Sequence, residues 1–490
     1  MSSINLRPYQ VELVDGGRDL FLIGHKAVLL VAPTGGGKTV VFSHMGATAA
    51  RRDKRVLILV HRIELVRQTL KKIAWTGVIC GVIQRKFKPD LTAHIQIASV
   101  QSLVKRLDKI PYEFDLIIVD EAHHAPAGSW SKIISHYPQA RILGVTATPI
   151  RTDGAGLNNI FDAIFVGPQY EELINDGYLV RPLVLAPKHK IDLTDFKMRM
   201  GDYDAKELEK TFDKPNVTGD AVKHYIEVCS GKPAIVFCIS VAHAEHVAGQ
   251  FRDAGINAVA VDGELDDETR EAILGDNGKL ANGEIQVVTS CSLISEGTDI
   301  PNVYATIHLR PTQSLSLWLQ QAGRSSRPVY ADGFDLSTRE GRLAAIAASD
   351  KPHSICLDHA GNCFLHGMPD EPREWSLMGF KESKGVRGTR VKVEKVKQCE
   401  KCYGIHKPAD ICPHCGYEYP IRAREVEQVE GELEAIVSPE LKKFIQQQAR
   451  HEVQKMRTLE DLEEYGRKKG YKPNWAKHVF ASRNKKQTGI

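Results

Sequence analysis

The chain has 490 residues, of which 42% are apolar and 26% are charged. These fractions are ordinary for a folded globular protein, so they exclude a wholly disordered chain, a collagen and a coiled coil. The net charge of +4 is too small to establish a nucleic-acid partner by itself. The sequence has neither an apolar run of bilayer length nor the apolar core of a signal peptide, so we expect a cytoplasmic protein with no membrane partner. The length suggests roughly three domains.

Short apolar segments alternate with helical patterns through residues 1–187. Continuous apolar strands that alternate with helices are typical of a parallel sheet covered on both faces. This region is therefore predicted to form an α/β domain. The predicted strands are Ala27–Ala32, Val56–Val60, Ile95–Ser99, Leu116–Val119 and Ile142–Val145.

The alternation pauses in a charged stretch, Lys188–Pro215, and then resumes. A second α/β domain is predicted over residues 188–355, so the fold class is α/β with two parallel-sheet domains in tandem. Its predicted strands are Ala234–Cys238, Ala258–Val261, Gln286–Thr289 and Ala305–Leu309.

A glycine-rich segment directly follows the first predicted strand. It fits the phosphate-loop pattern G-x-x-x-x-G-K-[ST], except that Ala32 stands at the first glycine. Glycines let backbone N–H groups approach phosphate oxygens, and the next helix presents its positive end to the same oxygens. Lys38 is predicted to reach the β and γ phosphates of ATP, and Thr39 to ligate Mg²⁺. The predicted nucleotide-binding residues here are Thr34, Gly35, Gly36, Gly37, Lys38 and Thr39.

Two adjacent carboxylates, Asp120 and Glu121, end the strand that begins at Leu116. The carboxyl edge of a parallel sheet is where nucleotides bind in α/β proteins. Asp120 is predicted to hold Mg²⁺, and Glu121 to orient and deprotonate the attacking water.

With these two motifs, the chain resembles a superfamily 2 helicase of the DEAH-box kind. Within that superfamily it resembles the group of type III restriction-like translocases and excision-repair-type helicases, which includes many phage-encoded members. The other segments that resemble family motifs, in order, are Arg7–Gln10 for adenine recognition, His61–Leu65 and Ser99–Leu103 for strand contacts, Thr146–Pro149 as motif III, Ile235–Cys238 as motif IV, Thr289–Pro301 as motif V and Gln320–Arg327 as motif VI.

The resemblance implies RecA-like domains, ATP and Mg²⁺ as cofactors, and a nucleotide site that both domains complete. It places Arg7 and Gln10 at the adenine, and Gly297 and Asp299 at the nucleotide-contacting positions of motif V. In motif VI, Arg324 and Arg327 are three residues apart, so a helix there would present both on one side. We expect both arginines to stabilise the charge of the phosphoryl transition state, an effect typically worth about 10³- to 10⁵-fold in rate.

The resemblance favours an ATP-dependent DNA helicase or translocase, with single-stranded or branched DNA as its partner. An RNA helicase is the main alternative, because the strand-binding segments mostly grip the backbone and few contacts distinguish the 2′-hydroxyl. Two further alternatives are a non-catalytic nucleic-acid adaptor and a nuclease-helicase. The nuclease hypothesis depends on Pro369-Asp370 and Glu382-Ser383-Lys384, which spell a PD…ExK skeleton on a poorly strand-forming segment.

Four cysteines cluster in two C-x-x-C pairs, a spacing that suits tetrahedral Zn²⁺. A small structural zinc ribbon is predicted over residues 395–420, serving either as a docking surface for nucleic acid or protein or simply as a staple for its own fold. The predicted ligands are Cys399, Cys402, Cys412 and Cys415.

Two other C-terminal regions are less informative. Residues 356–394 form an extension for which the sequence suggests no role. Residues 421–490 are predicted to form a helical, basic tail, with eight basic and no acidic residues after position 465. The tail's aromatic residues either form its own small core, the favoured interpretation, or stack on bases. They are Tyr465, Tyr471, Trp475 and Phe480.

Overall fold

The computed structural model describes residues 5–151, 154–187, 198–199, 202–203, 208, 215–291, 300, 302–379, 397–398, 405–406, 411, 416, 433–435, 447, 452–453, 455–472 and 474–487. The chain divides into two compact units, Met1–Glu434 and Ala435–Ile490. Among the described residues, no helix is both long and apolar enough to cross a bilayer.

The first sheet has seven parallel strands in the order β3-β4-β2-β5-β6-β1-β7. All five predicted strands are present, and the two strands that the sequence did not predict, β3 and β7, lie at the two edges of the sheet. The strands are β1 (Ala27–Val31), β2 (Val56–Val60), β3 (Cys80–Ile83), β4 (Ile95–Ser99), β5 (Leu116–Asp120), β6 (Arg141–Thr146) and β7 (Ala163–Val166).

Helices cover both faces of this sheet, and each face has its own apolar core. Side chains of one strand alternate between the faces. Val28 and Leu30 accordingly join the core on one face, and Leu29 and Val31 join the other. The helices are α1 (Pro8–Leu22), α2 (Lys38–Ala50), α3 (Ile63–Ala74), α4 (Val100–Leu103), α5 (Gly128–His136) and α6 (Tyr170–Asn175), with short 3₁₀ helices at Leu107–Lys109 and Ala122–His124.

The second sheet contains six parallel strands in the order β12-β13-β11-β14-β15-β8. The two domains predicted from the alternating pattern are thus confirmed as parallel-sheet α/β structures. In chain order the strands of this part are β8 (Pro182–Pro187), the two-residue β9 (Met198–Arg199) and β10 (Asp202–Tyr203), which pair antiparallel with each other, β11 (Ala234–Phe237), β12 (Ala258–Ala260), β13 (Val287–Ser290), β14 (Ala305–His308) and β15 (Ser354–Asp358).

One helix of the second domain ends before the two motif VI arginines that were predicted to lie on it. Motif VI begins on α10, but α10 ends at Ala322 and a 3₁₀ turn, Gly323–Ser325, follows. The helices are α7 (Pro215–Cys229), α8 (Val241–Asp253), α9 (Asp267–Leu274), α10 (Leu315–Ala322), α11 (Arg339–Ala348) and α12 (Asn362–His366).

Both predicted ends of the second domain differ from the structure. Strand β8 precedes residue 188 yet pairs with β15 in the second sheet, Pro182 opposite Ser354. Strand β15 in turn runs past residue 355 to Asp358. An apolar pattern identifies a strand, but it does not show which sheet supplies the backbone partners for its N–H and C=O groups.

Further along the chain, the described residues form short strands and a small helical pair. Strands β16 (Lys397–Gln398) and β17 (Ile405–His406) pair antiparallel, and β18 covers Leu433–Ala435. All four predicted zinc ligands lie outside the described residues.

The second unit contains α13 (Leu459–Lys468) and α14 (Trp475–Gln487). Thr458 and Asp461 cap the first helix reciprocally. The rings of Tyr465, Tyr471 and Trp475 contact one another, with centroids 4.6 to 6.2 Å apart. These contacts agree with the favoured prediction, that the aromatic residues of the tail pack into a small core of its own.

Candidate functional site

The phosphate loop adopts a conformation that its glycines permit. Gly35 and Gly37 have φ of +82° and +73°, a region that residues with a Cβ rarely occupy. A Cβ on Gly37 would lie 2.4 Å from Nε2 of Gln10, so the adenine-motif glutamine is packed directly on the loop. Tyr9 donates a hydrogen bond from its hydroxyl to the Gly36 carbonyl at 3.2 Å. The adenine motif and the phosphate loop therefore form one packed structure.

Lys38 begins the helix after the loop, and its side chain folds back across it. Nζ donates to the carbonyls of Ala32 and Pro33 at 3.3 and 3.4 Å. Burial lowers the pKa of Lys38, while the nearby Glu121 and Asp120 carboxylates oppose that shift. A lysine held beside two carboxylates and inside a loop of backbone amides is suited to binding phosphate.

The two motif II carboxylates are buried at the end of β5. Glu121 has φ +49°, a left-handed conformation that is costly for a residue other than glycine. Its backbone N–H donates to Oδ1 of Asp120 at 3.0 Å. Burial, together with the adjacent Glu121 charge, raises the pKa of Asp120, and Lys38 opposes the shift. The site thus concentrates negative charge that a cation would neutralise.

Glu121 is linked to both domains. Gln320 of the second domain donates from Nε2 to Glu121 Oε2 at 3.3 Å. On the other side, His123 Nδ1 lies 3.5 Å from the same oxygen and 3.2 Å from Thr146 Oγ1 of motif III. Because Gln320 precedes the motif VI arginines by a few residues, the orientation of Glu121 depends on the position of the second domain.

Motif III makes a second bridge between the domains. Oγ1 of Thr146 accepts from the Thr148 backbone N–H at 3.1 Å, which fixes the turn after β6. Thr148 Oγ1 then hydrogen bonds to Ser316 Oγ on α10. The helix that leads into the motif VI arginines is therefore attached to the turn that carries motif III.

Motif VI packs directly on the phosphate loop. A Cβ on Gly323 would lie 2.7 Å from Cβ of Thr34, so glycine allows the two domains to touch here. Arg324 lies in the 3₁₀ turn and Arg327 lies beyond it, so the two arginines do not share the helix that their spacing predicts. Pro328 follows them, and a proline discourages helical structure in the residue before it. Both arginines nevertheless line the same cavity.

That cavity lies in the cleft between the two sheets. Its volume is about 750 Å³, within the range of small-molecule sites. Predicted site residues from both domains line it, namely Arg7, Gln10, Thr34, Gly35, Gly37, Lys38, Thr39, Asp120, Glu121, Arg324 and Arg327. Gly36 is a buried residue of the loop and does not line the cavity. Gly297 and Asp299 lie outside the described residues.

Several lining residues were not predicted as site residues. The sequence placed Gln320 in motif VI but assigned it no role. Its contact with Glu121 depends on how the two domains pack together, which the sequence does not show. Tyr178 and Tyr330 have no motif signal at all. The Arg7 guanidinium lies 4.9 Å from the Tyr178 ring centroid, and Tyr330 donates to the Gly177 carbonyl at 2.6 Å. These aromatics border the adenine-motif end of the cavity.

The oxygen donors present fit Mg²⁺. Thr39 and Asp120 both line the cavity, and Mg²⁺ is typically bound by one or two protein oxygens together with substrate phosphates and water. Within the described ranges, no cluster of three or more His, Cys, Asp or Glu residues is arranged as a metal site. Thr39 and Asp120 would hold the ion together with nucleotide phosphates and water.

Asp370, the first acid of the nuclease-like pattern, has a different role in the structure. Its Oδ2 accepts from Nη1 of Arg181 at 2.8 Å, and both side chains are at most 10% exposed. Glu382 and Lys384 lie outside the described residues. A carboxylate committed to a buried ion pair is poorly suited to a catalytic metal, so this observation does not favour the nuclease alternative.

Comparison with known proteins accords with this geometry. Residues 3–151 match the family model of the type III restriction enzyme res subunit, and residues 218–329 match that of the helicase conserved C-terminal domain. A 51.5 kDa protein of a Lactococcus phage (isolate 7-9) is 31% identical over 84% of this chain and 83% of its own length. The chain belongs to the superfamily 2 helicases. It is accordingly a nucleic-acid-dependent ATPase of the helicase kind.

Other helicase relatives extend the comparison to cellular proteins and solved structures. IRC3 of Saccharomyces cerevisiae, which carries the name of an ATP-dependent helicase, is 32% identical over 66% of this chain. This helicase spans about half of the yeast protein, 49% of its length. A fragment of an HsdR-type subunit of a type I restriction enzyme from Vibrio vulnificus shares its fold, with a TM-score of 0.53, 21% identity, and coverage of 74% of this chain and 66% of the fragment.

Proposed function

We propose that this helicase couples ATP hydrolysis to movement on DNA or to its unwinding. The observation that carries the proposal is the cleft cavity, which residues of both domains complete. A site assembled from two domains is active only when they close, and hydrolysis that reopens it produces a cycle of relative motion. A non-catalytic adaptor is disfavoured for a separate reason, because none of the residues predicted to carry out hydrolysis is altered.

The proposed roles follow from position. The phosphate loop amides and Lys38 bind the phosphates of ATP, and Arg7 and Gln10 bind the adenine. Thr39 and Asp120 would hold Mg²⁺, which supplies positive charge against the phosphate oxygens when bound. Glu121 orients the attacking water and accepts its proton, and Gln320 keeps that carboxylate aimed at the cavity. Arg324 and Arg327 stabilise the negative charge that develops on the transferred phosphoryl group.

DNA is proposed as the partner because the first domain matches the family of a restriction-enzyme subunit, and restriction enzymes act on DNA. RNA stays the alternative, since family motifs mostly contact the backbone shared by both polymers. The test is ATP hydrolysis at fixed low salt with no nucleic acid, single-stranded DNA, duplex DNA, forked DNA and RNA. Stronger stimulation by DNA than by RNA is expected. Stimulation by RNA alone would move the function to RNA remodelling.

Substitution of Glu121 tests the catalytic assignment. Glu121→Gln is expected to lower kcat by about 10²- to 10⁴-fold, because general-base catalysis typically contributes that much. Glu340→Gln is the matched control, since the Glu340 side chain is 81% exposed on α11. Equal turnover of Glu121→Gln and wild type, in protein that binds ATP, would contradict the assignment.

Finer features belong to the same proposal. We propose that the chain is a DEAH-box member of the phage type, with motif V contacts from Gly297 and Asp299. The proposed domains are the two RecA-like domains, the extension, the ribbon and the basic helical tail. A cytoplasmic location is included because clustered thiols stay reduced there.

A structural zinc ribbon is also proposed, with Cys399, Cys402, Cys412 and Cys415 as its ligands. In its support, β16 and β17 form an antiparallel pair that brackets the first C-x-x-C, and Gly416 has φ +68° immediately after the second. Metal analysis of the purified protein is expected to give one zinc per chain. Retention of that zinc after substitution of all four cysteines by serine would contradict the ligand set. Nucleic acid or a protein partner is the proposed occupant of the ribbon surface.

A further inference from the structure

The extension after β15, which the sequence left without a role, connects the second domain back to the first. Helix α12 follows β15, and residues 367–379, here called the strap, then run onto the first domain. Among the described residues, the chain crosses between the domains between Val180 and β8 and again through the strap. Both crossings are made by described residues.

At its start the strap is attached to the motif VI helix. Trp318 on α10 donates from Nε1 to the carbonyl of Gly367 at 3.2 Å. Just before it, the Asn362 side chain accepts from the Thr312 N–H at 2.9 Å and donates to the Arg310 carbonyl at 3.1 Å. The extension thus holds both α10 and the loop that leads into it.

At its far end the strap is docked on the first domain. Trp375 and Leu377 pack against the core of the sheet face that includes Phe161. The Leu377 carbonyl accepts from the backbone N–H groups of Leu157 and Asn158 at 2.8 and 3.1 Å. The strap is therefore attached to the first domain both by backbone hydrogen bonds and by apolar packing.

A buried ion pair joins the two crossings to each other. Arg181 stands where the first crossing enters β8, and Asp370 lies in the strap; their side chains are 2.8 Å apart and 10% and 6% exposed. The Arg181 carbonyl also accepts from the Ser354 N–H at 3.0 Å, at the start of β15. The two crossings form one hydrogen-bonded hinge on one side of the cleft.

We infer that the strap is a positioning element for hydrolysis: it holds the motif VI helix, and with it Arg324, in register with the phosphate loop as the cleft opens and closes. Arg181 and Asp370 are positioning residues, since neither lines the cavity. This inference rests on the ATPase activity of the proposed function and is independent of which nucleic acid is the partner.

Gly156 provides a way to detach the strap without touching the cavity. A Cβ at this glycine would lie 2.0 Å from the Leu377 carbonyl and 2.4 Å from the Met378 carbonyl carbon, so Gly156→Ala forces the strap away. Gly128→Ala is the matched control, because a Cβ there meets nothing within 4 Å. We expect Gly156→Ala to lower kcat by about 10- to 100-fold, with a much smaller change in the KM for ATP, because only transition-state contacts are misplaced.

A double variant separates positioning from a general loss of structure. If the strap acts through Arg324, Gly156→Ala adds little further loss to Arg324→Ala, because the contact it positions is already gone. Losses that multiply fully would overturn the inference, as would wild-type kcat in Gly156→Ala. ATP hydrolysis by the wild-type protein that does not respond to nucleic acid would instead contradict the proposed function. Even then, the ratio of variant to wild-type hydrolysis would show whether the strap positions Arg324.

A second pair of variants decides the inference if Gly156→Ala does not fold by circular dichroism. Trp375→Ala removes the apolar anchor, and Glu374→Ala alters the exposed neighbour that points away from the core. The inference expects reduced kcat in Trp375→Ala, non-additive with Arg324→Ala, and unchanged kcat in Glu374→Ala. Equal kcat in the two variants would overturn it.

Discussion

The two ends of the cleft between the sheets are closed by different chemistry. At one end, α3 and α9 meet through ion pairs that include Arg67 with Asp267, whose side chains are 43% and 15% exposed. At the end near β7 and β8, two described segments cross between the domains and a buried ion pair joins them. Covalent crossings keep the second end together in every state, whereas solvated ion pairs can break and reform. We call the end with the two crossings the hinge and the ion-paired end the opening edge.

The opening edge centres on Asp267. Its carboxylate contacts Arg67 at 3.3 Å, Lys86, and Arg270 of its own helix at 3.8 Å. Arg270 in turn pairs with Glu64 across the cleft. The lysine and arginine partners of Asp267 in the first domain are 62% and 43% exposed, so water and salt compete for these contacts. Each exposed pair is typically worth no more than about 1 kcal/mol.

The largest effect is expected at the hinge. Asp370→Ala leaves the buried Arg181 beside Glu171, whose carboxylate is 3.8 Å away; breaking a buried pair typically costs about 3–5 kcal/mol, and the Glu171 contact reduces that cost. We expect a large drop in the urea concentration at the unfolding midpoint. Replacing both partners, Arg181→Met with Asp370→Leu, is the control and is expected to recover most of the loss. A midpoint in Asp370→Ala equal to wild type would remove the distinction between the two ends.

A substitution between the two ends tests how closely the domains must meet. Gly323→Ala places a Cβ 2.7 Å from that of Thr34, so the second domain must move away from the phosphate loop. A misplacement of about 1 Å can lower turnover by about 100-fold, and we expect a loss of that order in kcat. Gly263→Ala, where a Cβ meets nothing within 4 Å, is the control. Wild-type turnover in Gly323→Ala would mean that this contact does not limit closure.

A smaller effect is expected at the opening edge. Asp267→Asn is expected to destabilise the protein by about 1 kcal/mol near neutral pH. The hydrogen bond from Lys86 lowers the pKa of Asp267 below its ordinary value of 3.8. A carboxyl group with a lowered pKa stabilises the fold above that ordinary value and loses the contribution as pH falls through the lowered pKa. The difference between Asp267→Asn and wild type should therefore vanish in acid; a difference that grows in acid would contradict this account.

The smallest effect is the response to salt. Between 0.1 and 1 M NaCl the Debye length falls from about 10 to about 3 Å, which screens exposed charges far more than buried ones. The cost of Asp267→Asn should shrink over this range by less than about 1 kcal/mol, and the cost of Asp370→Ala should stay nearly constant. Urea titrations at both salt concentrations measure the two costs. Equal salt dependence at both ends would show that they are not chemically different.

The local features of this helicase could be predicted because each is encoded in adjacent residues. The apolar segments predicted the central strands, such as Val56–Val60, since a strand buried on both faces must be apolar along its length. The phosphate loop and the Asp120-Glu121 pair were predicted from spacing, because backbone geometry and phosphate chemistry demand those residue types. The two edge strands and the domain assignment of Pro182–Pro187 were not predictable in this way.

Sequence patterns alone predict most of the helices and strands and the reactive residues at the ends of the strands. The tertiary structure alone decided which groups from distant parts of the chain meet: Gln320 with Glu121, Gly323 with Thr34, and Arg181 with Asp370. The physical reason is that these contacts join residues 189 or more positions apart, and no local periodicity or spacing records them. The cleft, its hinge and its opening edge are properties of the packed molecule.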